Sequence, residues 1–215
     1  MPKKTALIIV DVQGDFVWGS LKVPNGELVA AEINRLRALL PEVDIFLTQD
    51  WHAANHISFY TQHPGFNAFD EKTLDDGSKQ ILWPPHCVQG SIGAAFVGDL
   101  VRMPTDTVIQ KGTYRTVDSY SGFASNDGHS EVTALEGLLK ERNITHVLVC
   151  GLAFEYCVGF TALDAVKCGL EVAVVRSCSK GINEADCAKM EAKLVATGKA
   201  VVVEDVASAV AFARA

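Results

Sequence analysis

Polar residues that can do chemistry follow four of the apolar runs in the chain. Asp11, Asp50 and Lys111 each lie at the end of such a run, and Cys157 comes shortly after a fourth. If the runs are parallel strands, their carboxyl ends meet at one edge of the sheet, where α/β proteins bind ligands. A carboxylate there can accept a proton, an ammonium group can stabilise negative charge, and a thiol can act as a nucleophile. The spacing therefore predicts nucleophilic chemistry at this edge.

Cys157 is the candidate nucleophile because of the turn in which it lies. Segment 151–159 opens a helix that runs to Cys168, so the thiol faces the positive end of the helix dipole. We expect this position and the Lys111 ammonium to lower the pKa of the thiol. The N–H groups of the same turn can stabilise an oxyanion. Without an export signal, all six cysteines are expected to stay reduced.

A second cluster combines one carboxylate with several imidazoles. Asp50, His52 and His56 are close in sequence, His86 follows after a long loop, and region 50–104 holds four of the six histidines. These ligands suit zinc, iron or manganese, and a set of three leaves positions open for water or substrate. Histidines are common on surfaces, but their crowding here favours a metal site.

Aromatic residues accompany both clusters. The candidates are Phe16, Trp18, Trp83, Tyr120 and Phe123. Such side chains can sandwich a flat ring, or they can belong to the hydrophobic core. The pattern leaves both interpretations open.

The elements that position these residues alternate short apolar runs with longer amphipathic stretches. This pattern is typical of a parallel sheet with helices on both faces. Strands are predicted at 6–12, 43–48, 107–110, 146–150, 171–175 and 200–203. Helices are predicted at 28–40, 132–139 and 158–166. We therefore expect a single α/β domain over 1–215, with a six-stranded, mainly parallel sheet and a metal-binding loop region at about 50–104.

Composition excludes several classes of protein. The 215 residues are 48% hydrophobic and 21% charged, which is typical of a globular domain rather than a disordered chain. A formal charge of −7 disfavours nucleic acid and anionic membrane surfaces as partners. No apolar run is long enough for a transmembrane helix and the N-terminus lacks a signal-peptide pattern, so a cytoplasmic location is expected.

Several short motifs together resemble a known family of enzymes. They are 9–16 (IVDVQGDF), 48–52 (TQDWH) with 56–59 (HISF), 83–91 (WPPHCVQGS), 111–112 (KG), and 151–153 (GLA) with 156–158 (YCV). In this order and combination they resemble the nicotinamidases, also called pyrazinamidases, of the isochorismatase-like cysteine hydrolases.

The resemblance implies an isochorismatase-like, Rossmann-like fold of three layers. It implies hydrolysis of nicotinamide to nicotinate and ammonia, in NAD salvage, through a thioester on the nucleophile. The implied catalytic residues are Asp11, Lys111 and Cys157. The implied oxyanion hole consists of the N–H groups of Ala153 and Cys157, with a non-proline cis peptide between Leu152 and Ala153.

The resemblance also implies one divalent metal ion, zinc or else iron or manganese, that orients the pyridine nitrogen of the substrate. The implied ligands are Asp50, His52 and His86, and His56 is either a further ligand or a support for the ligands. The implied lining of the ring pocket is Phe16, Trp83 and Tyr120. The expected partner is the small-molecule substrate nicotinamide, and a homo-oligomer is compatible with the family.

Other functions remain open at this point. A relative could hydrolyse another small amide or isochorismate, and the latter reaction does not need the carboxylate and histidine cluster. A non-enzymatic metal-binding module would not account for an acid, a base and a thiol at the strand ends. The chain also departs from the family pattern at Phe154 and Glu155, where the family usually has Thr and Asp.

Overall fold

The strands of the protein form one large sheet and one small hairpin. A computed structural model describes residues 3–215. The strands are β1 (Thr5–Val10), β2 (Asp44–Asp50), β3 (Glu71–Thr73), β4 (Lys79–Ile81), β5 (Thr107–Lys111), β6 (His146–Leu152), β7 (Glu171–Lys180) and β8 (Ala200–Val203). Six of them form a sheet in the order β5-β2-β1-β6-β7-β8, and all of its neighbouring strands are parallel. The predicted fold class is confirmed.

Helices cover both faces of this sheet. They are α1 (Gly14–Val17), α2 (Val29–Leu39), α3 (Leu135–Glu141), α4 (Gly159–Lys167), α5 (Glu184–Val195) and α6 (Val206–Arg214). Within residues 3–215, none is both long and apolar enough to cross a bilayer. The helices predicted from residues 28 and 132 start too early, because Leu28 and Val132 lie outside α2 and α3 and are exposed. Helices α5 and α6 were not among the predicted elements.

The core has two layers because side chains alternate along each strand. Leu7 and Ile9 of β1 point to the face covered by α1, α2 and α6. Ile8 and Val10 point to the opposite face, covered by α3, α4 and α5. All four side chains are fully buried, which explains why the central strands are continuous apolar runs rather than alternating ones.

Region 51–104 connects β2 to β5 and contains one element that the sequence did not reveal. The antiparallel pair β3–β4 lies within it and was not among the predicted elements. Backbone hydrogen bonds fix the rest of the region, with the Trp51 N–H donating to the Lys111 carbonyl and the His52 N–H donating to the Cys87 carbonyl. These bonds hold the region at the carboxyl ends of β2 and β5.

Candidate active site

The sheet register brings the polar strand-end residues together. Asp50 and Lys111 are the last residues of β2 and β5 and are paired across the two strands. Asp11 directly follows β1, between β2 and β6, and its backbone has a positive φ of 49°. Segment 153–158 continues from β6 and carries Cys157. Four parallel strands thus place two carboxylates, an ammonium group and a thiol at one edge.

Lys111 lies at the centre of this cluster and is fully buried. Its Nζ lies 2.5 Å from Asp50 Oδ1, 3.0 Å from Asp11 Oδ2 and 3.5 Å from Cys157 Sγ. It also donates to the Ser119 carbonyl at 2.9 Å. Burial opposes the charge, but the two carboxylates raise the pKa of Lys111 well above its usual value. The residue is therefore a fixed ammonium ion between an acid, a metal-type ligand and a thiol.

Asp11 has one satisfied carboxylate oxygen and one that accepts no hydrogen bond. Thr48 Oγ1 donates to Oδ1 at 2.6 Å. Oδ2 forms the ion pair with Lys111, and among residues 3–215 it is the one buried side-chain nitrogen or oxygen to which no hydrogen-bond partner is assigned. Burial raises the pKa of Asp11 to about 6, against the opposing effect of the Lys111 charge. A carboxylate with this pKa and a vacant oxygen is suited to accept and return a proton.

Cys157 lies in a π-helical turn, Phe154–Val158, that leads into α4. The thiol is buried, and ligand atoms of Asp11, Asp50 and Cys157 all lie within 4.8 Å of one another. The expected lowering of its pKa is wrong: burial raises the pKa well above the ordinary value, and the opposing effect of Lys111 does not cancel it. The resting group is therefore a thiol, and the Asp11 carboxylate beside it can accept a proton.

The turn before the thiol presents backbone N–H groups. The peptide between Leu152 and Ala153 is cis, as the sequence resemblance implied. The Ala153 carbonyl accepts from the N–H groups of Tyr156 and Val158, both at 3.1 Å. The residues named for an oxyanion hole, Ala153 and Cys157, both line the cavity described below.

Asp50, His52 and His86 form a buried cluster next to the thiol. The Nε2 atoms of His52 and His86 lie 3.5 and 3.8 Å from Asp50 Oδ2. Burial acts against ionisation of Asp50, but Lys111 and His52 hold its pKa well below the usual range. Burial lowers the pKa of His86 to about 4, so that ring is neutral at pH 7. One carboxylate and two imidazoles therefore converge on a common point.

Backbone carbonyls orient both imidazole rings. His52 Nδ1 donates to the Gly112 carbonyl and His86 Nδ1 donates to the Pro84 carbonyl, each at 2.8 Å. With Nδ1 held in this way, each Nε2 faces the shared point, as in a metal-binding histidine. Gly112 has a φ of 63°, and a Cβ there would lie 2.4 Å from His52 Cε1. Only glycine allows the ring this position.

His56 lies beside the cluster but outside it. Its ring stacks on that of His52 with centroids 4.2 Å apart. Nδ1 is bonded to Ser58 Oγ at 2.8 Å, and Nε2 is bonded to the Val117 carbonyl at 3.1 Å. Both ring nitrogens are thus engaged by protein groups.

Cys157 opens into the same cavity as Asp50, His52 and His86. Phe16, Trp83 and Tyr120 line it, as the resemblance implied. Trp83 Nε1 donates to the Tyr120 hydroxyl at 3.3 Å, and this hydrogen bond fixes the two side chains relative to each other. Of the other aromatic candidates, Phe123 belongs to the core and Trp18 is exposed.

Further lining residues were missed by sequence reasoning. They are Leu21, Asp118, Ser119, Tyr156 and Ile182. Tyr156 packs edge-on against Trp83, with ring centroids 4.9 Å apart. Its position next to the nucleophile in sequence was the one available signal, whereas Leu21 and Ile182 have no polar group to single them out.

Comparisons with known proteins identify the family. A model of the isochorismatase domain matches residues 5–205 of the chain. The chain therefore belongs to the isochorismatase family. A curated relative, the nicotinamidase of Acinetobacter baylyi, is 42% identical over 179 residues, which cover 83% of this chain and 82% of the relative.

Solved structures agree with the sequence comparison. A nicotinamidase and pyrazinamidase from Acinetobacter baumannii superposes with a TM-score of 0.88 at 40% identity, covering 97% of this chain and 99% of that one. A pyrazinamidase from Pyrococcus horikoshii, solved in complex with zinc, has a TM-score of 0.77 at 34% identity, covering 94% and 99% of the two chains.

Proposed function

We propose that the protein is a nicotinamidase, which hydrolyses nicotinamide to nicotinate and ammonia through a thioester on Cys157. One observation carries the proposal: Cys157, which lies beside Lys111 and Asp11, lines the same cavity as Asp50, His52 and His86. The first cluster suits attack on a carboxamide carbon, and the second suits binding of the ring nitrogen of the same substrate. Its nicotinamidase relatives support this assignment.

Attack begins with transfer of the thiol proton to Asp11. The vacant Oδ2 receives the proton from Cys157, and the resulting thiolate forms a bond to the carboxamide carbon. The raised pKa of Asp11, about 6, reduces the difference in acidity between base and thiol. The Lys111 ammonium lies 3.5 Å from Sγ and stabilises the thiolate while it exists.

The tetrahedral oxyanion forms next to the N–H groups of Ala153 and Cys157. Donors fixed in place before the reaction stabilise such an anion without reorganisation. The intermediate collapses when the carbon–nitrogen bond breaks, and Asp11 returns its proton to the departing nitrogen, which leaves as ammonia. Water then attacks the thioester and transfers a proton to Asp11, which passes it to the sulfur as nicotinate forms.

The cluster of Asp50, His52 and His86 fits a divalent metal ion. Ligand atoms bound to one tetrahedral zinc ion lie about 3.4 Å apart, and the Nε2 atoms lie 3.5 and 3.8 Å from Asp50 Oδ2. When bound, the cation supplies a Lewis-acid contact that orients the pyridine nitrogen. The zinc complex of the Pyrococcus horikoshii enzyme favours zinc, and iron and manganese suit the same ligands.

His56 supports the cluster rather than completing it. Its two nitrogens are bonded to Ser58 and Val117, so it acts through its stacking on His52. Phe16, Trp83 and Tyr120 enclose the substrate ring. The product, nicotinate, is the form in which the ring re-enters NAD synthesis, so the activity is one of NAD salvage.

The activity is tested by ammonia release from nicotinamide and benzamide. Benzamide has the same shape but lacks the ring nitrogen. A site that binds this nitrogen predicts a kcat/KM at least about 100-fold higher for nicotinamide. Equal rates would contradict the role of the metal cluster, and no release from nicotinamide would contradict the proposed function.

A further inference from the structure

Glu155 is a buried carboxylate that the proposed chemistry does not use. It lies two residues before Cys157 and does not line the cavity. Its Oε1 accepts hydrogen bonds from the N–H groups of Ile182 at 2.8 Å and Asn183 at 2.7 Å. Its Oε2 accepts from Cys187 Sγ at 3.6 Å. All of these partners belong to the connection between β7 and α5 or to α5 itself.

The segment held by Glu155 contributes to the cavity wall. Ile182 lines the cavity, and its N–H donates to Glu155 and to no other described group. Asn183 caps α5, accepting from the N–H groups of Ala185 and Asp186. A charged acceptor also faces the positive end of the α5 dipole, which strengthens both bonds. The position of Ile182 is therefore tied to the turn that carries the nucleophile.

Gly181 allows the close approach on which this connection depends. A Cβ at Gly181 would lie 2.5 Å from Glu155 Oε2 and 2.2 Å from Cys187 Sγ. Real side-chain carbons do not come so close, so any larger residue would push the segment away from the carboxylate. The nucleophile turn, in contrast, has its own fixed bonds through the Ala153 carbonyl.

We infer that Glu155 is a positioning residue, which holds Ile182 against the substrate ring and thereby sets how tightly the ring is bound. The inference rests on the proposed function. Because the nucleophile turn keeps its own hydrogen bonds, loss of the carboxylate affects binding of the ring more than the chemical step.

Kinetics of Glu155→Ala and Glu155→Gln test the inference. We expect Glu155→Ala to raise KM for nicotinamide about tenfold while kcat falls less than about threefold. Glu155→Gln keeps a carbonyl oxygen that can accept both N–H groups, so it should restore KM to within about twofold of the parent. Glu184→Gln, which alters an exposed carboxylate in the first turn of α5, is the matched control and should leave both constants unchanged.

Two further measurements separate positioning from general damage. Ile182→Ala should raise KM similarly, and its effect should not add to that of Glu155→Ala. Amide hydrogen exchange at Ile182 and Asn183 should be faster in Glu155→Ala but protected in Glu155→Gln. Unchanged exchange, additive effects, or a fall in kcat at constant KM would overturn the inference. Exchange does not depend on turnover, so inactivity of the parent would refute the proposed function and leave this test intact.

Discussion

Asp11 Oδ2 lies 3.0 Å from the Lys111 ammonium nitrogen and still accepts no hydrogen bond in the described chain of residues 3–215. The ion pair keeps the carboxylate charged in a fully buried position, while its second oxygen stays available. Cys157 lies close to both groups, so the Lys111 charge and the Asp11 carboxylate face the same sulfur atom. This relationship explains how a thiol with a raised pKa can still be activated.

The acid limb of the pH profile reports on Asp11. Its carboxylate must be unprotonated to accept the thiol proton, so kcat/KM should fall as the pH drops through about 6. The direction follows from burial, which raises the pKa of Asp11 from its ordinary value. Steady-state assays from pH 4.5 to pH 8 measure the limb, a range of roughly two units around that pKa.

Asp11→Asn provides the control for this assignment. The amide cannot accept the proton, so activity should fall at least about 1,000-fold at all pH values. Any residual activity should lack the limb near pH 6. A persistent limb in Asp11→Asn would mean that another group titrates there.

Substitution of a metal ligand should lower metal content, whereas substitution of the neighbouring histidine should not. His86→Ala deletes one of three converging ligand atoms, so metal content should fall well below one ion per chain after dialysis. His56→Ala should retain the ion, because both nitrogens of His56 are engaged elsewhere. Metal content is measured by inductively coupled plasma mass spectrometry. If His56→Ala lost the metal ion and His86→Ala kept it, His56 rather than His86 would be a metal ligand.

Gly112→Ala should disturb the metal site without touching a ligand. The added Cβ would meet the His52 ring at 2.4 Å, so we expect weaker metal retention against a chelator. Gly128→Ala is the matched control, since Gly128 also has a positive φ, 78°, but has no atom near its Cβ position. Both substitutions should lower the free energy of unfolding by about 1 kcal/mol. Equal metal affinity in the two variants would show that Gly112 does not determine the position of the His52 ring.

Much of this arrangement could be predicted because parallel strands impose it. Short apolar runs mark the strands of the sheet, and Asp50 and Lys111 end two of these strands. The carboxyl ends of such strands meet at one edge, so residue type and order indicated which side chains would be neighbours. The same reasoning located Cys157 at the start of α4.

Other features of the site could not be predicted, because they depend on how deeply a side chain is buried and on contacts between residues distant in sequence. The pKa of Cys157 was expected to fall, because the dipole and Lys111 are visible in sequence while the extent of burial is not. Ile182 lines the cavity, and its N–H donates to Glu155, which is distant in sequence. The hairpin β3–β4 is too short, at three residues per strand, to produce a periodic signal.

The most direct measurement of the account is turnover in Cys157→Ala, compared with Cys168→Ala. Cys168 lies just beyond the far end of α4 and is half-exposed, so its replacement should leave kcat within about twofold of the parent. Cys157→Ala should lose at least about 1,000-fold in ammonia release while it keeps its metal ion. Turnover of nicotinamide by Cys157→Ala at a rate near that of the parent would contradict a thioester mechanism.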